Sequence, residues 1–370
     1  MKYRIRQWIK MVVQNVLLPL YYNLFRWKKI NTKRVILADA HHKVRPAKLK
    51  CYYDAFIDAG YDVLEIYENY QNCSFFGLLR NMLYFMRQYA STKYVVICDN
   101  FLPAASCSKR LETEVVQVWH GCGALKKFGY DSEDDIPAYY RGNVFRNYSL
   151  IPVSGPAAVG PFSTAMRADA ECVRPIGVGY TDCYFNEDYI EEQKRRFYEI
   201  YPEAEGKKIV LWAPTFRGTA LEPEVIGKEA VEQLAKQLGS DYFVVQKLHP
   251  HIETKLGIKC PMAADDMLCL TDVLITDYSS IIFLYAIFKK PLILFVPDLE
   301  EYQKNRGFYL DFSDLPGRIV TDEKELYQAV LAEMSGFDED KMHKFFDDYM
   351  GGCDGKAMVR LLAWMEQQKA

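Results

Sequence analysis

Asp272-Val273-Leu274-Ile275-Thr276-Asp277-Tyr278-Ser279-Ser280-Ile281-Ile282-Phe283 is the stretch from which the fold can be read. Its first half is a β-branched and apolar run without alternation, the pattern of a strand buried on both faces. A polar turn follows, and the apolar residues from about 279 to 289 read as a helix. That helix leads into a second strand, Pro291-Leu292-Ile293-Leu294-Phe295-Val296. Strand, helix and strand at this spacing predict a parallel pair joined by a right-handed crossover. Upstream, Lys208-Ile209-Val210-Leu211-Trp212 and Tyr242-Phe243-Val244-Val245 read as further strands, with a helix over 225–238 between them. The same alternation occurs earlier in the chain. Strands are expected at Arg34–Ala38, Asp62–Ile66, Tyr94–Ile97 and Val115–Trp119, with helices over 47–59 and about 75–90. The expectation is an α/β protein of two parallel-sheet units facing a cleft, with ligands beyond the carboxyl ends of the strands. The polar stretch 186–207 reads as a helix and linker between them.

Length and composition agree with two domains: 370 residues, half of them apolar and about a quarter charged. A net charge of −3 argues against a general nucleic-acid binder, so no nucleic-acid partner is expected. The ten cysteines form no Cys-x-x-Cys pair and mostly lie in apolar runs, as buried thiols in a reducing compartment do. His41-His42 and the His249/His251 pair have no thiolate or carboxylate at ligand spacing, so no metal is expected. Charge is uneven, however. Met1–Ala38 holds nine Lys/Arg and no acid, with an interrupted apolar run, Met11–Phe25, between its two basic clusters. That run is too short and too polar to span a bilayer and lacks a signal-peptide cleavage site. A basic amphipathic helix on an anionic membrane surface is expected over residues 1–30, against the plainer reading of a helix packed on its own domain.

Every notable polar motif follows a predicted strand. Trp119-His120-Gly121-Cys122-Gly123-Ala124-Leu125-Lys126 presents a histidine on a glycine-bearing loop, where it can accept a proton from an attacking hydroxyl. The bland alternative is a core histidine with its hydrogen bonds satisfied. Ala213-Pro214-Thr215-Phe216-Arg217 places an arginine where it can hold phosphate bidentately. Gln246-Lys247-Leu248-His249 brings a lysine and a histidine to another strand end, where both can meet one anion. Asp277, Ser279 and Ser280 stand at the start of a helix, whose free N–H groups favour anions; N-capping alone would explain one serine. Pro297–Tyr302 followed by Arg306-Gly307-Phe308-Tyr309 is a loop after the next strand. No Walker A loop occurs, and no Gly-x-Gly-x-x-Gly follows the first strand and no Asp-x-Asp any predicted strand, which argues against an NTPase, a dinucleotide oxidoreductase and an obligatory metal cofactor.

These five ordered motifs resemble the CDP-glycerol glycerophosphotransferase family of teichoic-acid and capsule synthesis, over about Val95 to Tyr309. The resemblance implies a GT-B fold of two Rossmann-like domains: 31–190 for the acceptor and 191–345 for the CDP-alditol, with a C-terminal helix in 346–370 packing back on the first. It implies transfer of an alditol phosphate from CDP-glycerol or CDP-ribitol to a lipid-linked or glycan acceptor, with release of CMP, at the cytoplasmic face of a bacterial membrane. His120 matches the family's general base and His249 its second essential histidine. Arg217, Ser279 and Ser280 fall at the diphosphate, with Thr215, Lys247, Asp277, Lys126, Gly121 and Arg306 as further substrate-binding positions. The loop after His120 is one residue longer than the common Trp-His-Gly-Thr-Pro-Leu-Lys form and looks more like the ribitol-phosphate branch. Tyr180 and Leu284 stand where an Arg and an Asp are common. A nucleotide-sugar glycosyltransferase, sharing fold and diphosphate site, is the alternative enzyme; a membrane scaffold with a degenerate site is the non-enzymatic one.

Overall fold

A computed structural model describes residues 8–133, 135–136, 139–218, 223–248, 252–253, 260–305 and 307–368. The chain divides into two compact units. The first comprises Met1–Gly121, Phe128–Asp182 and Gly352–Ala370; the second comprises Cys122–Lys127 and Cys183–Gly351. The chain thus leaves the first unit at Asp182 rather than at 190 and returns at Gly352.

The first unit is built on β1 (Asn31–Asp39), β2 (Asp62–Tyr67), β3 (Thr92–Ile97) and β4 (Glu114–Gln117), all parallel, in the order β2-β1-β3-β4. The sheet continues through β5 (Ile151–Pro152) and β6 (Val173–Arg174), because Gln117 N–H donates to the Leu150 carbonyl at 2.9 Å and Ile151 N–H to that of Cys172 at 2.7 Å. Val35–Ala38 and Tyr94–Ile97 are fully buried, as central parallel strands covered on both faces must be. The crossover helix Phe75–Tyr89 starts where the Ser74 hydroxyl accepts from Gly77 N–H. It buries Met82, Phe85, Met86 and Tyr89, an i, i+3, i+4, i+7 stripe, and leaves Phe75 and Phe76 exposed in its first turn.

The chain is helical from Trp8 to Asn23, through a π-helical turn at Val13–Leu17. Gln14, Leu18 and Tyr22 are its buried stripe, while Trp8, Val16, Leu20, Leu24 and Trp27 lie exposed. Of the first basic cluster of the expected amphipathic helix, Lys2, Arg4 and Arg6 lie outside the described residues and Lys10 lies within them. Among the described residues no helix is long and apolar enough to cross a membrane.

The C-terminal helix Ala357–Gln367 completes the first unit. Asp182 caps it, accepting from Ala357 N–H at 3.0 Å and Met358 N–H at 2.8 Å. The Tyr94 hydroxyl donates to the Met365 carbonyl at 2.6 Å. Gly177, at φ +85°, lies so close to this returning segment that a Cβ would sit 2.1 Å from the Gly352 carbonyl oxygen.

The second unit repeats the plan with β7 (Lys208–Ala213), β10 (Tyr242–Gln246), β11 (Val273–Thr276), β12 (Leu292–Phe295) and β13 (Arg318–Val320), parallel in the order β10-β7-β11-β12-β13. A small antiparallel pair, β8 (Arg217–Gly218) with β9 (Pro223–Glu224), stands beside the carboxyl end of β7. Val210, Trp212, Ile275, Ile293 and Phe295 form the core with Val231 and Leu234 of the helix Lys228–Leu238. The helix after β11 spans Ile281–Ala286, shorter than the expected 279–289, because the chain turns out of it into Lys289 at φ +49°. In both units the strand order reverses beside the first strand, between β1 and β3 and between β7 and β11. Such switch points open a crevice at the carboxyl ends.

Candidate active site

In the first unit, three strands deliver polar side chains to that crevice. β4 stops at Gln117, two residues short of the expected end, because Trp119 takes a left-handed conformation with φ +52°. For a bulky residue this costs on the order of 1–2 kcal/mol, and the surroundings hold it in place. The buried Gln117 side chain accepts from Trp119 N–H at 2.9 Å and donates to the Asp99 carbonyl at 2.9 Å and the Tyr148 hydroxyl at 3.1 Å. The Trp119 indole stacks on Phe128 at 5.2 Å, meets Phe162 edge-on, and lies against the His120 ring at 4.5 Å.

His120 is thereby turned out of the core, its side chain 54% exposed. Its Nδ1 lies 3.2 Å from Oδ2 of Asp99, the second residue beyond β3. A carboxylate there requires the hydrogen on Nδ1 and leaves the lone pair on Nε2, the tautomer a general base needs. Burial acts to raise the Asp99 carboxyl, but the hydrogen bonds from His120 and from Asn100 N–H help to outweigh it and hold the group below the usual range. The same Asp99 Oδ2 lies 3.6 Å from Nε2 of His41, which follows β1. Asp39, buried at the end of β1, fixes this corner by accepting from the backbone N–H groups of His41 and His42 at 2.7 and 2.8 Å. Lys48 donates to the His120 carbonyl and lies 4.7 Å from the centre of the Tyr180 ring. Gly121 has open space where a Cβ would be, so its conformation does not demand glycine.

In the second unit Thr215, Arg217 and Asp277 come together, but with Asp298 as a fourth member. Arg217 donates through Nε and Nη2 to the two carboxylate oxygens of Asp298 at 2.7 and 3.1 Å, a bidentate pair. Its Nη1 donates to Asp277 Oδ2 at 3.0 Å and to Thr215 Oγ1 at 2.8 Å. Thr215 in turn donates its N–H and its hydroxyl to Asp277, both at 2.9 Å. The guanidinium lies 4.9 Å from the ring centres of both Tyr278 and Tyr302, which stack on each other at 3.7 Å. Burial pushes the Asp277 carboxyl up despite Arg217; at Asp298 burial has the same sense, and Arg217 overcomes it to hold that carboxyl low. Arg217 is therefore neutralised by two carboxylates rather than presented as an open phosphate clamp.

Lys247 is likewise engaged, donating to Glu253 at 2.8 Å and to the Cys260 carbonyl at 2.9 Å. Its expected partner His249 lies outside the described residues, as does Arg306. Ser279 accepts from Ile281 N–H at 3.3 Å, and Ser280, exposed, stands at the helix start without a side-chain cap bond. Lys126 lies 5.3 Å from the Tyr302 ring centre, on a segment bridged to Phe308. Gly123, at φ +60°, is the glycine this loop requires: a Cβ would fall 2.3 Å from the Phe283 ring. The sequence reading assigns no role to Asp99, His41, Asp298 or Glu253. An acid just past a buried strand, as at Asp99 and Asp298, is the signal that marks two of them.

The sequence profile of the CDP-glycerol:poly(glycerophosphate) glycerophosphotransferases matches residues 70–367. The chain is 32% identical over 311 residues to the teichoic acid ribitol-phosphate primase of Bacillus spizizenii W23, covering 77% of this chain and 79% of that enzyme. It is 31% identical over 290 residues to the teichoic acid glycerol-phosphate primase of Bacillus subtilis 168, covering 74% and 73%. It spans about half the length of the ribitol-phosphate polymerases it matches. The wall teichoic acid polymerase TagF shares the fold, with a TM-score of 0.72 at 20% identity over 99% of this chain and 98% of that one. With the Trp-His-Gly loop, the strand-end motifs and a profile match over most of its length, the chain belongs to the CDP-glycerol:poly(glycerophosphate) glycerophosphotransferase family.

Proposed function

We propose that this enzyme transfers an alditol phosphate, glycerol phosphate in the first instance, from its CDP-alditol to an acceptor hydroxyl in the synthesis of a teichoic-acid-type polymer. The observation that carries the reading is the pairing of Asp99, beyond β3, with His120 of the Trp-His-Gly loop. His120 Nε2 takes the proton of the acceptor hydroxyl as its oxygen attacks the β-phosphorus. The new P–O bond forms as the bond to the α-phosphate oxygen breaks, and CMP departs with that electron pair. The Ser280 hydroxyl, exposed at the helix start, and that of Ser279 beside it are the polar groups offered to the diphosphate in the second unit. Arg217 acts there by holding Thr215, Asp277 and Asp298 in register. Replacing His120 with Ala lowers CMP release by ~100-fold or more, the scale of a lost general base. Undiminished release overturns its role.

Ribitol phosphate is the second reading, favoured by the glycine-extended loop Trp119–Lys126 and by the ribitol-phosphate primase among the relatives. CDP-glycerol, CDP-ribitol and UDP-sugars offered in parallel separate the two, and UDP release would instead indicate a glycosyltransferase.

The exposed row Trp8, Val16, Leu20, Leu24 and Trp27 supports a peripheral position on a membrane, at its cytoplasmic face in this reading. Leu18 and Tyr22 are buried, so the clean test replaces Trp8, Leu20 and Trp27 with Ser rather than deleting the helix. The triple variant leaves anionic vesicles; retention on them sinks the idea.

A further inference from the structure

The helices Leu18–Asn23 and Phe75–Tyr89 leave an open groove of about 430 Å³ between them. Its walls join two chemistries that are ordinarily kept apart. Phe76, Leu79 and Leu83 form an apolar strip along one helix face, and Tyr21 closes it from the other helix. Arg80 and Arg87 line the same groove, seven residues and thus roughly 10 Å apart along the helix axis. Arg87 also lies 5.7 Å from the centre of the Phe25 ring, with Lys28 5.1 Å from it.

None of these three cations meets a carboxylate among the described residues, whereas Arg34, Arg45, Arg110, Arg195 and Arg360 all do. Phe76, for its part, is 81% exposed. A free phosphate would answer the arginines and leave the apolar strip in water. An uncharged chain would do the reverse. A molecule carrying both an acidic phosphate and a hydrocarbon chain satisfies both. The same two helices carry Leu20, Leu24 and Phe75 to the surface beside the groove, which gives the source of such a molecule as the bilayer itself.

We infer that the groove holds one anionic phospholipid of the bilayer, with its acyl chain along Phe76, Leu79 and Leu83 and its phosphate held by Arg80 and Arg87. The inference rests on the membrane-surface reading above and sharpens it: the face is selective for an anionic lipid, not merely greasy. Lipid recognition of this kind requires cations at the headgroup level beside an apolar surface.

The test uses the full chain and two probes. The first is soluble, short-chain dihexanoylphosphatidylglycerol, with its phosphatidylcholine counterpart and inorganic phosphate as controls. The second is vesicles of phosphatidylcholine with or without phosphatidylglycerol. The phosphatidylglycerol probe binds, and the Arg80→Gln/Arg87→Gln variant binds it about 30-fold more weakly, about fivefold per cation removed. Phe76→Ser weakens it as well. Both arginines are exposed, so the variant melts with the wild type and its loss is not one of folding. Equal binding by wild type and the double variant, or competition by inorganic phosphate as strong as by the lipid, overturns the proposal. If the short-chain lipid binds but vesicles do not, the membrane reading fails while the groove stands. If vesicles bind without arginine dependence, the groove fails while the membrane reading stands.

Discussion

Replacing Arg217 with Ala tests whether its charge belongs to the fold or to the substrate. The side chain of Arg217 is 14% exposed, that of Asp277 4% and that of Asp298 14%. Truncation therefore strands two carboxylates in a largely dry site, a perturbation that costs about 3–5 kcal/mol when one partner of a buried pair is removed. With roughly 2–4 °C lost per kcal/mol for a domain of this size, melting should fall by about 6–20 °C. Acid sensitivity changes too. Asp298 is held low by Arg217 against burial, so its contribution to stability is present above about pH 4 and is lost as pH falls through its folded value. Asp277, pushed up by burial, acts in the opposite sense: its cost grows as pH rises through its folded value. Without Arg217, the loss of stability below pH 4 flattens and the cost at neutral pH increases. Calorimetric melting from pH 3 to pH 8, with donor titration on the same samples, reads both effects. Arg217→Lys keeps the charge but loses the bidentate fork and falls between wild type and Ala. If Arg217→Ala melts within 2 °C of wild type yet loses donor binding, the guanidinium is a ligand group and the argument fails.

Asp99→Asn lowers kcat by roughly 10- to 100-fold, the worth of a charge-assisted hydrogen bond in a partly exposed site, with the larger loss if the amide imposes the wrong His120 tautomer. KM and melting stay near wild type, and steady-state CMP release within threefold of wild type would remove Asp99 from the mechanism. Gly123→Ala meets the Phe283 ring and a left-handed backbone together, so it destabilises by about 2 kcal/mol or more. Adding Phe283→Ala relieves none of the backbone strain and brings a cavity of its own, so a denaturant midpoint restored to wild type refutes the backbone-strain half of this account. A double-mutant cycle on Lys247 and Glu253, whose side chains are 16% and 11% exposed, returns a coupling of about 1–2 kcal/mol; zero coupling would free Lys247 for substrate.

The central strands were legible because they are buried on both faces and therefore written as unbroken apolar runs: Val35–Ala38, Tyr94–Ile97 and Val273–Thr276 needed nothing more. β5 and β6, of two residues each, and β13, of three, are too short to carry a period. The strand at Val115 was read through Trp119 because an indole looks like a strand residue; only the backbone turn shows that it supports the histidine. His120 was marked by its glycines. Asp277 and Asp298 each stand just past a strand, but nothing local ties either of them to Arg217. Asp277 and Asp298 lie 60 and 81 residues downstream, so an arginine at a strand end reads as an anion ligand until the topology brings those acids to it. Local pattern gives an element and its end, while charge neutralisation across strands belongs to the fold.

The Asp182 cap on Ala357–Gln367 also sets an order of assembly. As the chain emerges from the ribosome, β1 to β6 are available early, but the helix they hold arrives only after Cys183–Gly351 has been made. The second unit, Cys122–Lys127 with Cys183–Gly351, is then complete while the first still waits for its last piece. A nascent chain stopped short of Gly352 leaves the Asp182 carboxylate without Ala357 and Met358 and Tyr94 without Met365. The half that carries His120 is thus begun first and finished last, and an interrupted product cannot complete it.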